Sequence, residues 1–490
     1  MATMLHADTT PLLEAVAAQD TAATIRETVR LLGARNVKPA YIAARVGIAA
    51  LWGNARPHAL SVLGATGQVA DWIRAIPLGA ESGDEAHRVY AAAFPLAQGF
   101  LAVADSVGAG LREPHPSLPE PLEPADIKHP DGTHGALAEA FSKRDVEQIR
   151  RILLGFYATG TDYRHIQEAI YTTLRFRYPT NGFPLTFALS ASDVEDMAEW
   201  GDQTPALIYW FTPLMVDQSP DTPAAQAAQA FAAQPNNDLS WLRKRLSVPK
   251  EEAAGAEFQR AISGGNATAA CSAVLTALKN GATPQGVGAG LALAAAERVN
   301  AAPTGDRAAL VRAGQLLRYA HAVHMAMLHT QAAQIWPLLY TAACAINEAQ
   351  PGAPTGGVLA ISASASAPLG GLIPATMLRS LDQQIALGDL GSALATARRY
   401  IQLGNAPRGL VGALALAASL NDATGSADDA LAAHALPMVT AAAAEYLALP
   451  AALRSGGQNA LLAAGVRLAT ELRGGHSVAD QVRAAIEQIG

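Results

Sequence analysis

Residues 20–50, DTAATIRETVRLLGARNVKPAYIAARVGIAA, decide the fold. Asp20 is a short carboxylate ahead of an apolar run, and such a side chain accepts from the free amides of a first helical turn. The residues behind it place their apolar members at helical spacing. A turn ending in Pro39 then leads into a second helix built from small residues. The same pattern recurs about every 123 residues. It opens again at Asp145, Asn266 and Asp389, and its later second helices read DYRHIQEAIYTTL from Asp162, TPQGVGAGLALAA from Thr283 and APRGLVGALALAA from Ala406. A third helix follows each time, in the strings PHALSVL, GFPLTFA, AHAVHMA and AHALPMV.

The expected fold is therefore all-α. Four pseudo-repeats, each a helical hairpin plus a third helix, pack around a central cavity. Gly/Pro/Ser-rich breaks set the boundaries: repeat one at 1–111, a Pro-rich linker at 112–135, and repeats two to four at 136–240, 241–352 and 353–490. The linker, REPHPSLPEPLEPADIKHPDGTHG, reads as an extended solvated connector, or as a lid carrying His115, His129 and His134.

Half of the residues are hydrophobic and only 16% are charged, a balance that favours closely packed helices. A net charge of −7 and no Lys/Arg cluster exclude a general nucleic-acid binder. Cys271 and Cys344 are too few for a disulfide framework or a thiolate metal site. They read as two buried thiols in a reducing, cytoplasmic compartment. We expect neither a signal peptide nor a membrane-crossing helix. The sparse surface charge hints at a homo-oligomer.

The aligned strings place His58, His321 and His434 at one repeat position, with Phe183 in the second copy. Neutral imidazoles from different helices are a common way to hold a transition metal, and packing at a helix start is the bland alternative. His324 lies one turn from His321 and could supply the ligand that Phe183 lacks. His329 reads as a surface or packing residue. His165 aligns with Tyr41, Gly286 and Gly409, so it could project into the space those glycines leave, as an acid/base group, with Tyr41 as a proton donor. Tyr209, Trp210 and Phe211 could line the cavity or pack the core. Asp84 and His87 share D-x-x-H spacing, but no second carboxylate–histidine pair exists to build a di-iron bundle site.

VLGATGQVADW, from Val62, imitates a nucleotide-binding glycine loop. Its register places it inside a third helix, without the βαβ unit such a loop requires. The glycines at 286, 288 and 290 fail for the same reason.

The hairpin copies, their Ala-rich second helices and the histidine opening each third helix resemble the questin oxidase-like proteins, whose helical segments also occur fused to Rieske domains. The resemblance spans most of the chain. It implies a helical oxygenase that uses non-haem iron and dioxygen on aromatic polyketides, by oxygen insertion next to a carbonyl or by C–C cleavage. The implied ligands are His58, His321 and His434. Phe183 departs from the pattern, and no lysine lies within a turn of those histidines to add a carboxylated ligand. A non-catalytic helical repeat protein that binds a small ligand or a partner protein is the alternative.

Overall fold

A computed structural model describes residues 8–34, 37–77, 90–112, 115–130, 132–160, 163–178, 182–216, 222–244, 256–349, 373–422, 432–449 and 459–489. Asp84, His87 and the boundary stretch 353–372 lie outside them. Among the described residues the chain is all-helical, without strands.

The first quarter holds α1 (Thr10–Ala17), α2 (Thr21–Gly33), α3 (Pro39–Trp52), α4 (Pro57–Arg74) and α5 (Ala93–Val107). Next come α6 (Gly132–Lys143), α7 (Val146–Ala158), α8 (Tyr163–Leu174), α9 (Phe183–Met197), α10 (Thr204–Met215) and α11 (Pro223–Ala232). The third group is α12 (Ala256–Ser263), α13 (Ala267–Lys279), α14 (Pro284–Ala301), α15 (Arg307–His329) and α16 (Leu338–Glu348). The last is α17 (Pro374–Leu387), α18 (Leu390–Gln402), α19 (Pro407–Ser419), α20 (Ala435–Ala448), α21 (Ala460–Glu471) and α22 (Ser477–Ile489).

Local chemistry explains the starts. Asp20, Asp145 and Asn266 each accept from a backbone amide three residues on at 2.9 Å, and Asp389 does so at 3.0 Å. Such a cap stabilises a helix by about 1 kcal/mol. The four opening residues are thus N-caps. Pro39, Pro284 and Pro407 each occupy the first turn of a second helix, where the missing N–H costs nothing.

Four helices form the centre. α4 touches α9, α9 touches α15, α15 touches α20, and α20 returns to α4. Gly64 lets the first pair meet, since a Cβ there would lie 2.8 Å from the Ser190 carbonyl oxygen. Gly67, the second glycine of the nucleotide-loop imitation, meets Met197 in the same way. Those glycines serve helix contact.

One expectation changes. Ala93–Leu111 is long and apolar enough to cross a membrane, although no such segment was expected. It is 67% buried, and α5 within it packs against α2, α3 and α4, which explains its composition as that of a core helix. The described residues of the Pro-rich linker are exposed or half-buried, as a solvated connector would be, and the segment is also tied to the helices beneath it. The Leu122 amide donates to the Arg151 carbonyl at 2.9 Å, Arg151 Nε donates to the Glu120 carbonyl at 3.2 Å, and His115 stacks on Trp52 at 4.7 Å. Prolines that cannot extend a helix instead lie along α7 and α3, with their carbonyls available to neighbours. Cys271 and Cys344 are free and buried, their Sγ atoms 3.2 Å apart between α13 and α16.

Candidate functional site

The four central helices enclose a cavity of about 310 Å³, and each contributes to its wall. Its most unusual resident is Arg318 on α15, 8% exposed. Nη2 donates to Ser61 Oγ on α4 at 2.8 Å, to Ser190 Oγ on α9 at 2.7 Å and to the Thr186 carbonyl at 3.4 Å. Both serines donate their own hydrogens to the carbonyl four residues back, Ser61 to Pro57 and Ser190 to Thr186. Their lone pairs therefore face Arg318 and fix the guanidinium plane. Burial pulls the Arg318 pKa down to about 10, partly opposed by Asp193. Asp193, on the α9 wall, is pushed up to about 7 by burial and then by Asp196, against the pull of Arg318. Near neutrality its carboxyl is divided between acid and anion.

The second feature is a carboxylate with two imidazoles. Glu445, in the Ala-rich run of α20, is 3% exposed. Its Oε1 lies 2.7 Å from His321 Nδ1, and His324 Nδ1 lies 2.9 Å from both oxygens. Burial alone would raise this carboxyl. The His324 charge and the hydrogen bonds from both rings overrule it and hold the group at about 2. An ionised carboxylate only accepts, so both Nδ1 atoms carry hydrogen, and whenever either ring is neutral its lone pair is on Nε2. His321 lines the cavity, whereas His324 stands beside Gly288 of α14, where a Cβ would meet its Cα at 3.0 Å.

His329 closes the outer end of the cavity. Its Nδ1 lies 3.0 Å from the hydroxyl of buried Tyr171 on α8, and burial lowers its pKa despite the opposing charge of Asp196. His329 and Asp196 also line a wider cleft of about 580 Å³ with Arg164, His165 and Glu168. His329 thus packs on Tyr171, as expected, and is also a wall residue shared by both spaces.

The expected histidine constellation divides. His58 and His434 meet edge to face, ring centroids 4.8 Å apart. Burial lowers both, His58 to about 3 with help from the His434, Arg318 and Arg56 charges, and His434 to about 4 with help from Arg318. His321 turns to Glu445 instead, together with His324. The reason is register. Wall residues fall three, six or seven, and ten positions past His58 on α4, and three, six and seven past His434 on α20. On α15 the same intervals count from Gln315, because Asp306 caps that helix and starts it well before His321. Phe183 opens α9 and packs on Phe187 at 5.2 Å. Among the described residues no group of three or more His, Cys, Asp or Glu side chains is disposed to hold a metal ion. These residues do not fit one iron shared by His58, His321 and His434, and the Arg318 cation beside two of them opposes a second cation.

His165 lies outside the inner cavity, on the cleft, 57% exposed and 3.9 Å from Glu168. Tyr41 is half-buried on α3 and absent from the cavity wall. The aromatic run also packs away from the cavity. Trp210 Nε1 donates to the Ala55 carbonyl at 2.7 Å, and Tyr209 stacks on Trp52 at 5.7 Å.

Arg318, Asp193 and Glu445 were missed by sequence reasoning. A usable signal existed for Glu445 alone, an ionisable residue inside an otherwise small and apolar helical run, TAAAAEYLA. Compared with known protein families, characterised proteins and solved structures, the chain matches none.

Proposed function

We propose that the protein is an enzyme of small-molecule acid–base chemistry, with the central cavity as its active site. One observation carries the reading. His321, on the cavity wall, is held at Nδ1 by a buried, ionised Glu445, which leaves Nε2 as a base. The carboxylate orients the ring and stabilises the imidazolium that forms when a proton is taken. A cavity of about 310 Å³ sits at the small end of ligand sites, so the substrate is compact. Leu189, Met197, Met325 and Pro437 supply apolar wall. A hydroxylated aromatic, the substrate class that the resemblance implies, suits a base facing such a wall, and dioxygen is the co-substrate it implies.

The convergence of α4, α9, α15 and α20 on one cavity supports reading them as equivalent members of four repeats. The register offset at α15 marks where the copies have diverged.

The test is dioxygen uptake and product formation against a panel of hydroxylated anthraquinones and naphthalenes, comparing wild type with His321→Gln and Glu445→Gln. Loss of a general base lowers kcat by about 10²–10⁴-fold. Equal turnover in the His321→Gln protein overturns the assignment. Binding by the wild type without turnover of any panel member favours the non-catalytic carrier. One equivalent of iron, lost in a His58→Ala, His434→Ala protein, would restore the metal reading.

A further inference from the structure

We propose that the cavity binds its ligand as an organic anion, with the negatively charged oxygen received by the free side of the Arg318 guanidinium. This rests on the cavity being the functional site and adds the charge state of what enters it.

The donor inventory is the first argument. A guanidinium carries five N–H bonds and no acceptor. All three protein hydrogen bonds of Arg318 leave from Nη2. Among the described residues Nη1 and Nε have no protein partner, and neither is sealed from the cavity as a buried orphan. Ser61 and Ser190 pin one side of the group and present the remainder to the open space.

Charge is the second. A buried cation is expensive unless an anion faces it. Among the described residues Arg318 makes no ion pair within 4.0 Å, and its approaches are to two hydroxyls and a carbonyl. Asp193 shares the wall, but burial holds it near the middle of its titration at neutral pH. His58 and His434 are kept neutral beside the arginine. The charge is thus only partly answered by the protein, and a ligand oxygen answers the rest.

The surroundings set the ligand's body. Leu189, Pro437 and Ala441 give the wall an apolar part, beside polar groups from Gln68, Asp196 and Thr440. An aromatic phenolate or carboxylate has one charged end and one apolar body, which matches this division.

The experiment uses 4-nitrophenol as probe, because its phenolate absorbs where the neutral phenol does not. At fixed pH, wild-type protein is expected to raise the phenolate fraction, through about a tenfold preference for the anion, equal to one pKa unit. Arg318→Met abolishes the rise and Arg318→Lys restores part of it. Ser190→Ala, which loosens the guanidinium, weakens it and guards against a folding defect in the Met variant. 2-Naphthoate competes with the probe and 2-naphthamide does not. His321→Gln separates this inference from the acid–base reading. A phenolate rise that survives in His321→Gln places the anion on Arg318 whatever the fate of turnover. A rise lost in His321→Gln but kept in Arg318→Met overturns the inference and leaves the base assignment standing. No rise with wild type, or equal competition by the amide, also overturns it.

Discussion

Arg467 and Arg318 are both buried, at 1% and 8% exposure, and the chain uses them in opposite ways. Arg467, on α21, spends every donor. Nε and Nη2 reach Glu471, Nη1 donates to the Val299 and Asn300 carbonyls at 2.9 Å, and Nη2 also approaches the Pro303 carbonyl. Those carbonyls end α14, so this arginine caps one helix with the side chain of another. Arg318 reaches no carboxylate and leaves donors facing a cavity. Burial therefore does not distinguish a structural cation from a functional one. The completeness of its hydrogen bonding does.

The largest expected effect breaks the comparison if it is wrong. Arg467→Met strands partly buried Glu471 and three carbonyls, and should cost about 3 kcal/mol in chemical denaturation. Arg318→Met removes a cation that has no ion-pair partner and leaves Ser61 and Ser190 bonded to their own helices. Its stability should stay within about 1 kcal/mol of wild type, or rise. Similar losses in the two proteins would mean that Arg318 is structural.

Two buried glutamates sharpen the same rule. Glu445 has two imidazole partners and lies below its ordinary value, at about 2. Glu195, on α9, has both oxygens buried without a hydrogen-bond partner, and burial, then Asp196, raises it to about 8. The signs follow. Between the unfolded carboxyl pKa and about 8, unfolding releases the Glu195 proton, so stability falls as pH rises through that window. For Glu445 the contribution is present above the unfolded value and is lost as pH falls toward about 2. Glu195→Gln should flatten a stability–pH profile between the unfolded carboxyl pKa and about 8 and raise stability at pH 8 by about 1–3 kcal/mol. Glu445→Gln should flatten only the acid limb. Urea melts across pH 3–9 check both, and an unchanged profile in either variant contradicts the assigned cause.

The legibility of the chain follows the same division. Caps, prolines and helix periods are local, so Asp20, Pro39 and their later counterparts could be read directly. The sequence pattern also leads us to expect that α4, α9, α15 and α20 meet, and they do. What could not be read was the partner of each ionisable group. Glu445 and His321 stand on different helices, and only packing brings them within 2.7 Å. The α15 register went wrong for a local reason. The string AHAVHMA looked like a helix start by analogy with its counterparts, while the real start, Asp306, bonding the Ala309 amide at 2.8 Å, lay upstream.

The smallest effect concerns Asp193, which tunes Arg318 without touching it. The ionisable groups around it are Arg318, His321 and His329 of α15, Tyr171 of α8, and Asp196 of its own helix, while α4 and α20 give the wall no ionisable side chain. Tyr171 is pushed up by burial and stays neutral. As pH rises through about 7, Asp193 ionises and competes with a ligand anion for the arginine's field. Phenolate preference should therefore weaken by a few-fold, on the order of half a kcal/mol, across that range. In Asp193→Asn the preference should become independent of pH there and remain at its low-pH value. A wild-type preference that is already flat would show that the Asp193 carboxyl does not reach the bound anion. The arginine would then act alone, which is the sharper form of its contrast with Arg467.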